Sequence, residues 1–128
     1  MSTLEVSNLN DGTTTVATTY VTNGSAKCWN SFNGTGTVAL RDSFNTSSIT
    51  DRGTGAYTTN FSSAMGNANY SHSALGARSN SANQVGVFCG NSGDSSAPTA
   101  SAAQVNEIAV TTYYDIDLVN NTFHGDLA

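Results

Sequence analysis

The stretch from Glu107 to Leu118 restricts the fold more than any other feature. Ile108, Val110, Thr112, Tyr114, Ile116 and Leu118 fall on one side of a period-2 pattern; Glu107, Ala109, Thr111, Tyr113, Asp115 and Asp117 fall on the other. A period of two sends alternate side chains to opposite faces of a strand, whereas an amphipathic helix needs spacings of three and four. The pattern predicts one half-buried strand of about ten residues.

Shorter alternations precede it. Val16, Thr18, Tyr20 and Thr22 share a face within Thr14–Thr22. Trp29 alternates with Cys28 and Phe32, and Val38 shares a face with Leu40. Phe44 to Ile49, Tyr57 with Thr59 and Phe61, Tyr70 to Leu75, and Val85 to Cys89 give four more candidate strands. No window carries an apolar helical repeat over three turns. Between these runs lie Asn33-Gly34-Thr35-Gly36 and Asp51-Arg52-Gly53-Thr54-Gly55, glycine turns of the kind that tight hairpins require. The expectation is an all-β fold, an antiparallel β-sandwich or jelly-roll-like architecture of about seven to nine short strands.

Residues 1–13 differ from the rest. Leu4, Val6 and Leu9 give a little apolar alternation before Asn10-Asp11-Gly12 turns the chain. Such a segment cannot form a core, so it reads as an edge strand or an arm that orders against a neighbour, with Leu4, Val6 and Leu9 as its contacts. The sandwich is then expected over 14–128. The Ser/Ala-rich segment from Asn91 to Gln104 holds the single proline, Pro98, and reads as a long exposed loop. Asn91, Ser92, Asp94 and Ser95 are its candidate ligand contacts.

Composition narrows the function. The chain has 18 Thr, 17 Ser and 15 Asn in 128 residues, with 10% charged residues and a net charge of −5. Lys27, Arg41, Arg52 and Arg78 are its only Lys and Arg residues, too few to displace counterions from a phosphate backbone, so a nucleic-acid partner is not expected. No apolar run reaches the ~18 residues of a membrane helix, and the N-terminus shows no secretory pattern. Low net charge and eleven aromatic residues argue against disorder. Scarce large aliphatics predict a thin core, with part of the stability supplied by a subunit interface.

Candidate chemistry is sparse. Cys28 and Cys89 read as reduced, buried thiols, although a disulfide between them is open. Cys28, Cys89, His72 and His124 lack zinc-ligand spacing, and no cofactor or metal is expected. Neither histidine lies in a nucleophile motif, so both read as ordinary surface or partly buried residues. Asp115 and Asp117 share a strand face; a solvated face or interface rim, together with Tyr113, outweighs a weak Ca²⁺ site or a glycosidase pair. Trp29 reads as a core or interface anchor, with a ligand platform as the lesser possibility. Sequons such as those at Asn23, Asn45 and Asn60 follow from the composition, and glycosylation is not expected.

The series Ala26-Lys27-Cys28-Trp29, Phe32-Asn33-Gly34-Thr35-Gly36-Thr37-Val38-Ala39-Leu40-Arg41-Asp42-Ser43-Phe44-Asn45, Ser48-Ile49-Thr50-Asp51, Gly53-Thr54-Gly55, Tyr57-Thr58, Asn60-Phe61, Ala64-Met65 and Asn69-Tyr70 resembles a β-rich domain of tail-fibre-like and other virion surface proteins of tailed bacteriophages, especially those of marine bacteria and cyanobacteria. The resemblance covers residues 26–70. It implies a non-enzymatic, homotrimeric β-sandwich exposed on a virion, assembled in the host cytoplasm. Tail fibres usually carry an adaptor and shaft before such a domain; here the domain begins within the first 26 residues. That arrangement points to a capsid-decorating (cement) protein docked on the major capsid or another virion protein. The alternative is a fibre or spike knob that binds host-surface glycans. No nucleic acid and no membrane enter either reading.

Overall fold

A computed structural model describes residues 2–77, 86–89, 97–109 and 112–128, with side chains described for 2–77, 97–104 and 113–128. Among the described residues the fold is mostly β, with nine strands in two antiparallel sheets and a separate two-stranded hairpin.

The hairpin comes first. Strand β1 (Asn8–Asn10) pairs with β2 (Thr15–Ala17), and helix α1 (Thr18–Gly24) follows. The expected strand Thr14–Thr22 is therefore only three residues long. The ladder ends where Thr18 turns both its amide and its hydroxyl onto the Ser7 carbonyl oxygen. Beyond that point the chain pairs with no strand among the described residues and closes its backbone bonds locally, as a helix. Lys27 stabilises the C-terminal end of α1, its ammonium donating to the Thr22 and Ser25 carbonyls, where the helix dipole favours a cation.

The first sheet has the order β4-β3-β11-β7, with β3 (Cys28–Asn33), β4 (Ala39–Phe44), β7 (Ser71–Ala77) and β11 (Leu118–His124). The second holds β5 (Thr46–Asp51), β6 (Ala56–Phe61), β8 (Gly86–Cys89), β9 (Ala102–Ala109) and β10 (Thr112–Tyr113). Strand β9 carries β6 on one edge and β8 on the other, and β10 continues past the end of β6.

The chain changes sheets at Asn45, which breaks the expected run from Phe44 to Ile49. Asn45 has a φ of 56°, a left-handed conformation that asparagine tolerates better than most residues. Its side chain fixes the corner. The amide donates to the Lys27 and Ser63 carbonyls, and its oxygen accepts from the Ser63 amide.

The continuous strand expected from Glu107 to Leu118 is also broken. After β10 the chain crosses back to the first sheet through Tyr114–Asp117. Polar anchoring of this crossing outweighs the alternation. The Asp115 carboxylate accepts from the Gly55 amide at 2.7 Å and the Tyr57 hydroxyl at 2.8 Å, and the Ile116 carbonyl accepts from the Gly34 amide at 2.8 Å. Ile116 is consequently buried and Tyr114 half-buried, while Leu118 lies on the exposed side. The side chains of Ile108 and Val110 lie outside the described residues.

Two apolar clusters fill the space between the sheets. One holds Phe32, Tyr57, Ile116 and Val119; the other holds Cys28, Phe61, Met65, Ala103 and Phe123. Edge-to-face ring pairs tie each together, Phe32 with Tyr57 at 5.2 Å and Phe61 with Phe123 at 5.1 Å between centroids, a favoured aromatic geometry. Gly34 makes the first cluster possible. A Cβ there would lie 2.7 Å from the Tyr57 hydroxyl oxygen and 2.8 Å from the Ile116 carbonyl oxygen.

Candidate functional site

A buried polar layer separates the two clusters. Three strands, β3 and β11 of the first sheet and β6 of the second, each present an apolar, a polar and an apolar residue inward at alternate positions: Cys28, Asn30 and Phe32; Val119, Asn121 and Phe123; Tyr57, Thr59 and Phe61. Asn30 and Asn121 are register partners. The Asn121 amide donates to Asn30 Oδ1 at 2.9 Å, and the Asn30 amide donates to Thr46 and Thr59 hydroxyl oxygens, each at 3.2 Å. Asn121 Oδ1 faces His72 Nε2 at 3.0 Å. Because an amide oxygen only accepts, Nε2 carries the proton.

His72 is thus held on two sides. Its ring stacks on Phe123 at 4.1 Å between centroids, and Nε2 donates to Asn121. Burial pushes its pKa below the ordinary histidine value, with the Asn121 bond acting the other way. Cys28 is a free, buried thiol within hydrogen-bond distance of Thr46, and burial raises its pKa. The Cys89 side chain lies outside the described residues, as do Asn91, Ser92, Asp94 and Ser95. Asp115, expected on a solvated face, turns inward and accepts from Gly55 and Tyr57, as part of the frame. Asp117 is half-buried and Tyr113 exposed. Among the described residues, no cluster of three or more His, Cys, Asp or Glu could hold a metal ion.

Two surfaces have the features of contact sites. The first is the N-terminal unit, residues 2–24. None of its residues is buried. Leu4 is 83% exposed and Tyr20 73%, and Val6, Leu9, Val16 and Val21 are also exposed. Leu9 and Val16 are cross-strand partners; with Val21 they line an open depression of about 510 Å³. Neither core cluster includes a residue from this unit. Leu4, Val6 and Leu9, singled out in the sequence, therefore fall in one unit.

The second surface is the outer face of the four-stranded sheet. Outward positions in register place Phe44 beside Trp29, then Thr122 and Ser73; the next row holds Asp42, Ser31, Asn120 and Leu75. Trp29 is 37% exposed, Phe44 53% and Leu75 71%. The sequence signalled Trp29 through its polar alternation partners, but not Phe44, which reaches that face by strand pairing. Asn30 and Asn121 were missed altogether, because a buried asparagine looks in sequence like any of the others.

Comparison with protein-family models, curated proteins and solved structures gave no match for this chain.

Proposed function

We propose that this chain is a non-enzymatic structural protein of a tailed-phage virion, a homotrimeric decoration protein that docks on the capsid through its N-terminal unit. The observation that carries the docking role is the exposed apolar surface of residues 2–24. A two-stranded hairpin and a seven-residue helix are each marginal alone in water. Together with the residues before β1, they present Leu4, Val6, Leu9, Val16, Tyr20 and Val21 to solvent without joining either core cluster. A neighbouring protein that buries those side chains supplies the missing half of a core. The residues before β1, which lie in no helix or strand, suit strand addition to a partner's sheet edge, a mode in which backbone bonds give affinity and side-chain pockets give selectivity. Decoration then strengthens the shell by mass action, since a ligand that binds only the assembled form stabilises it.

The test compares the full chain with residues 26–128, which retain every residue of both clusters. Light scattering and co-sedimentation with stripped particles are the measurements. The proposal expects trimers from both forms and particle binding by the full chain alone. Equal binding by the truncated form, or adhesion to host cells with no particle binding, overturns it; the second result assigns the chain to a receptor-binding knob.

A further inference from the structure

The outer face of the four-stranded sheet carries a combination that the core does not require. Trp29, the single tryptophan, and Phe44 sit side by side on neighbouring strands and both are exposed. Around them, Ser31, Asn120, Thr122 and Ser73 occupy outward register positions. Elsewhere the side chains of Asn10, Asn30, Asn33, Asn45, Asn60 and Asn121 are spent on bonds inside the chain. Within the described structure, the four on this face make no such bond.

We propose that this face is a binding site for a neutral glycan built of hexopyranose units. A pyranose ring has an apolar C–H face and a rim of hydroxyls. The apolar face packs on an exposed aromatic, and the hydroxyls bond to side chains beside it. Trp29 and Phe44 provide two adjoining aromatic surfaces on a sheet; Ser31, Asn120, Thr122 and Ser73 provide donors and acceptors within the same two rows. Asp42 neighbours Ser31, and one of its oxygens already accepts from the Ser43 amide. Its other oxygen can accept a sugar hydroxyl, and its charge repels a sugar carboxylate. No Lys or Arg occupies these two rows, and Arg41 lies in the bulge of β4. That charge pattern fits an uncharged ligand and disfavours a phosphate backbone, which needs cations.

A second copy of the chain fits the face less well. Burying Ser31, Asn120, Thr122, Ser73 and Asp42 against another protein surface leaves each to find a partner or bear the cost of desolvation. A hydroxyl-rich ligand satisfies all of them. The site shares no residue with the N-terminal unit proposed to carry docking, so it adds to that function without resting on it.

Trp29 is its own reporter. The full chain is titrated with cellohexaose, maltohexaose and mannohexaose, and with a galacturonate oligomer as the acidic control, following tryptophan fluorescence. The proposal expects a saturable shift with at least one neutral oligosaccharide and none with the acidic one. By calorimetry, Trp29→Ala and Phe44→Ala each weaken that binding by at least about tenfold, and the double variant Ser31→Ala/Asn120→Ala weakens it with both aromatics in place. Unchanged melting temperatures keep these losses separate from unfolding. No response to any neutral oligosaccharide at millimolar concentration overturns the proposal. So does tighter binding of the acidic oligomer, or fluorescence that follows protein concentration rather than sugar, which assigns the face to a second copy.

Discussion

At the scale of single residues, the fold depends on groups whose importance comes from one contact. Gly34 is visible in the sequence as a turn glycine, but its tighter constraint is the approach of Tyr57 and Ile116, within 2.8 Å of where a Cβ would stand. Gly34→Ala is expected to destabilise the protein by about 1–3 kcal/mol through overpacking, measured by thermal unfolding. Thr58 is the opposite case. Its hydroxyl is buried with no hydrogen-bond partner among the described residues, so Thr58→Val is expected to remove an unpaired polar group and raise the melting temperature. A fall would show that the hydroxyl has a partner. His72 adds a pH dependence. Its pKa is depressed in the folded state, so the unfolded chain takes up the proton first. Its contribution is full above pH 6.5 and is lost as pH falls through the folded value. His72→Gln, which can keep the donor to Asn121, is expected to show a smaller loss of melting temperature between about pH 7.5 and pH 5 than the native chain.

At the scale of elements, strand existence was legible and strand ends were not. Tyr57, Thr59 and Phe61 alternate in the sequence and share the inward face of β6, although Thr58 on the other face is buried as well. The run from Glu107 to Leu118 carried the same signal yet crosses between sheets. Its crossing is set by Asp115 meeting Tyr57 and Gly55, residues about 60 positions earlier, and no local pattern encodes such a meeting. Helix α1 was hidden for a related reason: its residues are β-branched or polar, and it forms where the β1–β2 ladder runs out. The polar layer is a property of three strands together. Asn30 and Asn121 are coupled by a buried bond and share further partners. An Asn30→Ala, Asn121→Ala double-mutant cycle is expected to show a coupling of about 0.5–3 kcal/mol, since either single change strands the other amide. Additive effects in urea unfolding would mean the two amides act independently.

At the scale of the whole molecule, residues 2–24 contribute no residue to either core cluster, while the sandwich leaves Trp29, Phe44 and Leu75 exposed as well. Among the described residues, the two clusters that hold the sandwich begin at Cys28, and Leu4, Val6, Leu9, Val16, Tyr20 and Val21 keep their side chains in solvent. The sandwich class was readable from turn spacing. The end of the strand expected over Thr14–Thr22 was not, because nothing in that run distinguishes a strand with a neighbour from one without. The central claim is that residues 2–24 gain their stabilising contacts from a docked partner. Amide hydrogen exchange over residues 8–24, compared between the free protein and the protein on virion particles, tests that claim most directly. The account predicts fast exchange in the free protein, because few buried contacts hold these amides, and strong protection on the particle. Equal exchange in the two states would contradict it.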